Sequence, residues 1–401
     1  MSFFFHSTEY PKERHAEHSD FPLAPERMVV QPEELSSTHK EMLSFLYGES
    51  YKPMPSTEKL IPNLKDKNFY ILHYRNLKLY LSLGMRLKKV HRCLRFTQTP
   101  WLKPYIDFNT DKRSRAQNEF EKDFFKLMNN AMFGKTMENM RNRRDINLVT
   151  NEESLRKFAA QPSFKRCTIF HESLVAVERI KTTVKLNRPI YTGVAVLDLA
   201  KHAMYEFHYT YVKKEYPGEK SKLLFTDTDS LLYRIQCDDL YADMYKEKNR
   251  DRFDFSDYPK DHLCFSAKNK KKIGKMKDEM KSFPIIEFIG LRAKMYSLLV
   301  DREKDSNIKR AKGVKKNVVK DTINHNNYRE ALFKNKQFLH LMNSFRSNRH
   351  IISTVQQNKV SLCSYDDKRY ILKDGINTLP YGHYKIKELE KEEKTNSILR
   401  F

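Results

Sequence analysis

Phe225-Thr226-Asp227-Thr228-Asp229-Ser230 sets two carboxylates two positions apart between two apolar runs. Lys222-Leu223-Leu224-Phe225 precedes it and Leu231-Leu232-Tyr233-Arg234-Ile235 follows. Short apolar runs broken by polar turn formers predict a β-hairpin. The flanking strands place that hairpin in a buried sheet, with Asp227 and Asp229 held still at its tip. Two such carboxylates suit Mg²⁺ or Mn²⁺, since Mg²⁺ is commonly bound by one or two carboxylates together with substrate phosphates. Turn propensity alone also supplies aspartates, so the meaning of the pair depends on the rest of the chain.

The chain is strongly basic. Among 401 residues, Lys and Arg number 75 against 51 Asp and Glu, a formal charge of +24 with a sequence pI near 9.6. That balance is the electrostatic footprint of a polyanion binder. A membrane surface would need an apolar or amphipathic anchor. No run approaches the roughly 20 apolar residues of a spanning helix, and Phe3-Phe4-Phe5 is too short for a signal-peptide core. The five cysteines, Cys93, Cys167, Cys237, Cys264 and Cys363, are scattered without a CxxC pair. This points to a reducing intracellular compartment, nucleus or cytoplasm, and to neither a zinc site nor a disulfide framework. A carboxylate tip in so basic a protein suggests phosphoryl transfer on nucleic acid.

Outward from the hairpin, the pattern is mixed. The first sixty residues are Pro-rich (Pro11, Pro22, Pro25, Pro32, Pro53, Pro55, Pro62) and read as an extended, irregular lead-in. A strand is predicted at 68–74, a helix at 76–83, and a strand and turn at 95–101. A long helix is predicted over 116–140, its stripe of Phe120, Phe124, Leu127, Met128, Ala131 and Met132 facing the core. Two or three strands follow between 165 and 196, then a helix from Thr192-Gly193 to about 212. A lysine-dense loop (268–281) precedes a strand at 292–300. The last hundred residues read as mixed helices and strands ending in a charged tail, 387–394. Helices segregated from a mostly antiparallel sheet make an α+β fold.

Three further constellations carry chemistry. On the predicted long helix, Lys126, Asn130, Phe133 and Met137 fall on one stripe, offering a cation, an amide and a flat ring beside the small Gly134. Lys112, Arg113 and Arg115 add charge upstream, where a triphosphate could lie. In Lys294-Met295-Tyr296, read as strand, Lys294 and Tyr296 share a face and Met295 points away. The 268–281 run and the basic stretch 309–316, which contains Lys312 and Gly313, suit phosphate contacts. Each of these alone also reads as an ordinary amphipathic helix, edge strand or solvated loop.

Their order is more specific than any one of them. Lys126-x3-Asn130-x3-Gly134, then Asp227-Thr228-Asp229-Ser230, then Lys294-x-Tyr296, resembles the C-terminal motifs of family B DNA polymerases. The resemblance spans about 10–320. It is greatest to the protein-primed branch of viruses, linear plasmids and self-synthesising transposons. It implies a right-hand fold: an antiparallel palm sheet, helical fingers and a mixed α/β thumb. The palm would take 1–97 and 151–300, the fingers 98–150, and the thumb with a charged tail 301–401. The resemblance implies Asp229 as principal metal ligand supported by Asp227, and Lys126 on the incoming triphosphate. Asn130, Phe133 and Gly134 would shape the nucleotide pocket, with Lys112 or Arg113 as a second phosphate-binding cation. Lys294 and Tyr296 would hold the primer end; Lys312 and Gly313, from the basic stretch rather than a family motif, are further candidate DNA contacts. The implied partners are a DNA primer–template, dNTPs and a terminal-protein primer.

The chain departs from the family pattern at Ala131, where Ser is common, at Phe133, where Tyr is common, and at Thr226, where Gly or Cys is usual. The family's first motif, an aspartate on a DxxxLYP-like strand and turn, has no match; Glu9-Tyr10-Pro11 fits only its end. The chain therefore reads as a polymerase that starts just downstream of that aspartate, and it is expected not to extend DNA at a useful rate alone. Two other readings stay open: a DNA-binding remnant without catalysis, and a glycosyltransferase whose DxD turn binds a nucleotide sugar. The charge, the Lys126 helix and the Lys294–Tyr296 motif oppose the second. A reverse transcriptase would carry adjacent aspartates rather than DTD.

Overall fold

Ser2–Glu9, expected as part of an irregular lead-in, is a strand in the middle of a three-stranded sheet. A computed structural model describes residues 2–398 apart from 271, 304–305 and 349–350. Ser2–Glu9 pairs antiparallel with Lys67–His73 on one side and Arg86–Arg95 on the other, with Phe3 opposite both His73 and Leu94. Aromatic and β-branched residues fit such a pleated, half-buried surface, and the prolines of the lead-in begin only at Pro11. A second regular element in the lead-in is the helix Ser37–Tyr47, whose N-cap Ser36 accepts a hydrogen bond from the His39 N–H. The expected strand at 95–101 lies earlier, at Arg86–Arg95. Its side chains are mostly exposed and basic, so no apolar alternation announces it. The strand at 68–74 and the helix at 76–83 form almost as expected, as Lys67–His73 and Tyr74–Ser82.

The fold is α+β, with sheets of two or three strands rather than one broad antiparallel sheet. It divides into two compact units. One comprises Phe96–Leu199 with Phe345–Ser353; the other comprises Ser2–Arg95, Ala200–Ser344 and Thr354–Phe401.

In the smaller unit the helix expected over 116–140 runs Glu119–Thr136, its first turn capped by Asn118 accepting from the Glu121 N–H at 2.8 Å. It packs on a second helix, Lys103–Ser114, through Tyr105 Oη donating to Met128 O and Asn129 Nδ2 donating to Thr110 Oγ1. The stripe expected to face the core does so only in part: Met128 and Met132 are half-buried, whereas Phe120 is 79% exposed and Leu127 62%. At 100° per residue, the packed face is centred on Phe125, Met128 and Met132, about a quarter-turn from Phe124 and Leu127. An apolar stripe identifies a helix face but not its partner. The strands expected over 165–196 end at Arg179: Leu174–Arg179 lies between Phe164–His171 and an additional strand, Asp145–Val149. The helix that follows begins at Ile190, where Gly193 sits so close to Thr136 and Met137 that a Cβ would fall inside the Met137 side chain.

In the larger unit that helix continues to Glu206 and then widens into a π-helix, Phe207–Val212. Tyr205 and Tyr209 join Tyr10, Leu23, Leu64, Leu72, Leu77 and Tyr80 in the main core. The buried phenols are satisfied by the extended segment opposite. Tyr205 Oη donates to Pro22 O at 3.0 Å, and Tyr209 Oη donates to Phe21 O at 2.6 Å. Tyr10 Oη accepts the Leu23 N–H and bonds His18 Nδ1 at 2.9 Å. A second core joins the two ends of the chain: Tyr370, Tyr381 and Ile386 pack with Val30, Leu35, Leu43 and Ile61, braced by Lys59–Asp367 at 2.5 Å. The charged stretch 387–394 is helical, within Tyr384–Ile398.

Burial holds His18 at a pKa of about 4 and His208 at about 3, so both are neutral when folded. Unfolded, each would titrate near 6.5. The unfolded chain therefore binds more protons below that value. The stability they contribute is complete above pH 6.5 and is lost as pH falls toward 4. Urea unfolding at pH 7 and pH 5 should show a loss of roughly 1 kcal/mol per pH unit for each histidine, and His208→Phe should flatten that slope.

Candidate functional site

The DTD sequence forms the predicted hairpin, Ser221–Asp227 with Ser230–Ile235, and Asp227 faces Ser230 across a two-residue loop. The Asp229 N–H donates to Asp227 O at 2.6 Å, an i→i+2 turn centred on Thr228. Thr228 consequently has φ +56°, a conformation that β-branched residues rarely adopt. Its hydroxyl donates to Asp227 Oδ1 at 3.2 Å, and Ser230 Oγ donates to Asp227 O at 3.2 Å. The first bond orients the Asp227 carboxylate and the second holds its backbone carbonyl; Asp227 is half-buried and Asp229 is exposed. The hairpin stands as a two-stranded ribbon rather than inside a buried sheet, and Leu224 is 38% exposed. One side of it is anchored where Asp20 Oδ2 accepts the Leu223 N–H at 3.3 Å and lies 3.5 Å from Lys213 Nζ.

A second hairpin, Ile285–Arg292 with Met295–Val300, brings up the Lys294–Tyr296 motif. Lys294 is not on the strand, as the sequence pattern suggested. Arg292 pairs with Met295, which leaves Ala293 and Lys294 as the turn, and Lys294 has φ +61°. Met295 is buried as expected, at 1% exposure, and Tyr296 is half-buried, its phenol pushed upward by that burial. The Tyr296 ring lies 4.6 Å from the Phe225 ring between centroids. Alongside it, Lys294 Nζ reaches Asp227 Oδ1 at 3.2 Å.

A third strand, Asn307–Ala311, pairs antiparallel with Met295–Val300 so that Ala311 faces Met295. Its end therefore returns to the same tip. The Lys312 N–H donates to Lys294 O at 3.0 Å, and Gly313 takes φ +84°. Gly313 O accepts from Lys359 Nζ at 2.9 Å. Lys359 was not singled out in the sequence: it sits in the strand Ile351–Leu362, and nothing local marks it. Asp227, Asp229, Lys294, Tyr296, Lys312 and Gly313, from three separate stretches, thus meet in one place within the larger unit.

The second group of sequence-selected residues lies in the smaller unit. Lys126, Asn130 and Phe133 share one face of Glu119–Thr136, away from the face packed on Lys103–Ser114. Lys126 and Asn130 are exposed, and a Cβ on Gly134 would meet nothing within 4 Å, so open space lies over it. Lys112 and Arg113 occupy the last turn of Lys103–Ser114, where cations complement the helix dipole, with Lys112 Nζ 5.7 Å from the Phe108 ring centroid. The lysine-dense loop is only partly available. Lys268 pairs with Asp251 at 2.7 Å, and Lys277 with Asp257 at 2.9 Å and Asp254 at 3.3 Å. Lys309 Nζ is turned to backbone carbonyls at 320 and 323, and burial lowers its pKa.

Among the described residues, no group of three or more His, Cys, Asp or Glu side chains could hold a metal ion. Two carboxylates alone do not make a protein cage for a divalent cation, so an ion held there would depend on water and phosphate oxygens. A pair of ions would need a further carboxylate. Comparison with protein-family models, curated proteins and solved structures returns no match.

Thr228→Gly should stabilise the chain by about 0.5–1 kcal/mol in urea unfolding, because glycine adopts φ +56° without the Cβ penalty. A loss of stability would show that the side-chain bond to Asp227 outweighs the strain.

Proposed function

We propose that this chain is a family B-type DNA polymerase region that binds a DNA primer–template and a dNTP, with weak catalysis by the chain alone. The observation that carries this reading is the meeting of Asp227 with Lys294, Tyr296 and the Lys312-Gly313 turn. Motif order assigns Asp227 to the metal and Lys294 and Tyr296 to the primer end, and Lys312-Gly313 belongs to the basic stretch suited to phosphate contacts. The +24 charge supports a polyanionic partner.

In this reading Asp229, exposed, and Asp227, oriented by Thr228, hold Mg²⁺ or Mn²⁺. The ion would supply charge neutralisation for the triphosphate and the attacking oxygen. Within the smaller unit taken by itself, Lys126 would take a phosphate and Asn130 and the Phe133 ring would border a base and sugar, with open space over Gly134. Lys294 and Lys312 bind backbone phosphates as point charges, and Tyr296 sets the primer end against the Phe225 side of the hairpin. Two carboxylates, one of them already paired with a lysine, make a poor two-ion clamp. The same observation favours a second reading, in which the chain binds DNA without catalysing nucleotide addition.

Fluorescence anisotropy with a primer–template duplex should show binding that weakens steeply with salt, log K falling by about 0.9 per phosphate neutralised. Asp229→Asn should leave it unchanged. Primer extension with Mg²⁺ should be slow and lost in Asp229→Asn, and Lys126→Ala should raise the dNTP concentration needed by tenfold or more. DNA binding with no Asp229-dependent incorporation, even with Mn²⁺, selects the second reading. No salt-dependent DNA binding at all rejects both.

A further inference from the structure

Lys294 occupies the position that a cation at the hairpin would contest. Its ammonium lies 3.2 Å from Asp227 Oδ1, and both side chains are partly exposed, 56% and 32%. Asp227 ends its strand and Asp229 lies in the two-residue turn that follows, so like charges two positions apart call for a counter-ion. Lys294 supplies one for Asp227.

The backbone around this pair is pinned while the side chain is not. The Lys294 carbonyl accepts the Lys312 N–H, and the strand register on both sides fixes its turn. Packing of Tyr296 on Phe225 sets the separation of the two hairpins. The lysine stem remains free to swing, and an ammonium pairs with a carboxylate or a phosphate without strict geometry. Lys312 and Lys359, at the same tip, add positive charge that would draw a backbone phosphate to it.

We propose that Lys294 is a DNA-released counter-ion: it holds Asp227 in the free chain, and a backbone phosphate draws it away, so that DNA and a divalent cation bind with positive coupling. The inference rests on the DNA-binding reading above. It adds that Lys294 regulates the cation site as well as contacting DNA. By linkage, DNA must tighten cation binding by the same factor as the cation tightens DNA binding. A partly exposed ion pair supports a factor of about three to five.

The test measures Mn²⁺ affinity by the electron paramagnetic resonance signal of free Mn²⁺, with the full chain and a primer–template duplex, subtracting the Asp229→Asn background. Wild type should bind Mn²⁺ about three- to fivefold more tightly with duplex than without. Lys294→Met should bind as tightly without duplex as wild type does with it, and duplex should add little. Lys294→Gly, which the positive φ tolerates, should behave alike and guards against a folding defect in the first variant. Unchanged DNA-free Mn²⁺ affinity in both variants overturns the inference. So does a wild-type affinity that ignores duplex shown by anisotropy to be bound. Failure of the duplex to bind rejects the function proposed above instead, and the DNA-free comparison of wild type with the Lys294 variants still decides whether the ammonium competes with the cation.

Discussion

The larger unit depends on one contact: a π-helical turn of aromatics pressed against an extended segment of the chain's beginning. Buried tyrosine phenols are costly unless each finds a partner. Tyr205 and Tyr209 find theirs in the carbonyls of Pro22 and Phe21, and Tyr10 joins His18 and the Leu23 N–H. Tyr209 lies within the widened stretch Phe207–Val212 and Tyr205 just before it; such π-turns recur at functional sites. The same segment carries Asp20, whose carboxylate takes the Leu223 N–H of the DTD hairpin. The carbonyl of its neighbour Ser19 accepts from the half-buried Arg369. The position of the hairpin is therefore set by residues two hundred positions away in sequence.

The site itself is assembled from turns. Thr228 and Lys294 both hold positive φ without being glycine, and each sits at the apex of a hairpin whose register leaves it no alternative. Such strain persists only where the surroundings over-determine it, and it clusters at functional positions. Here it does two things. It aims the Asp227 carboxylate, and it brings an ammonium to within 3.2 Å of it. The ammonium offsets the charge of Asp227 and leaves Asp229 exposed beside it.

Much of this was legible beforehand, and the failures are instructive. The DTD hairpin was readable because two apolar runs and a polar turn constrain one another over fifteen residues. The helix carrying Lys126, Asn130, Phe133 and Gly134 was readable from its period. Lys294 was misplaced by one residue, onto a strand, because nothing in Arg292-Ala293-Lys294-Met295 marks a turn: no glycine, proline or asparagine occurs there. Ser2–Glu9 was missed because the prolines after it dominated the reading of its neighbourhood. The strand Arg86–Arg95 was missed because basic residues hide its alternation. Of the stripe from Phe120 to Met132 only Met128 and Met132 face a partner, since a periodic face is evidence of a helix and not of what lies against it.

The sequence by itself determined the local elements whose period or turn chemistry is complete within a few residues, and it determined the charge that makes a polyanion the natural partner. It also supplied the motif order behind the family resemblance. Only the tertiary structure decided that Asp227 and Lys294 form an ion pair, that Lys312 and Lys359 gather at the same tip, and that the hairpin is a separate ribbon tied to Asp20. The physical reason is range. Propensity and periodicity act over one or two turns of chain, whereas these contacts join residues tens to hundreds of positions apart. Their distances follow from strand register and core packing, which no local pattern encodes.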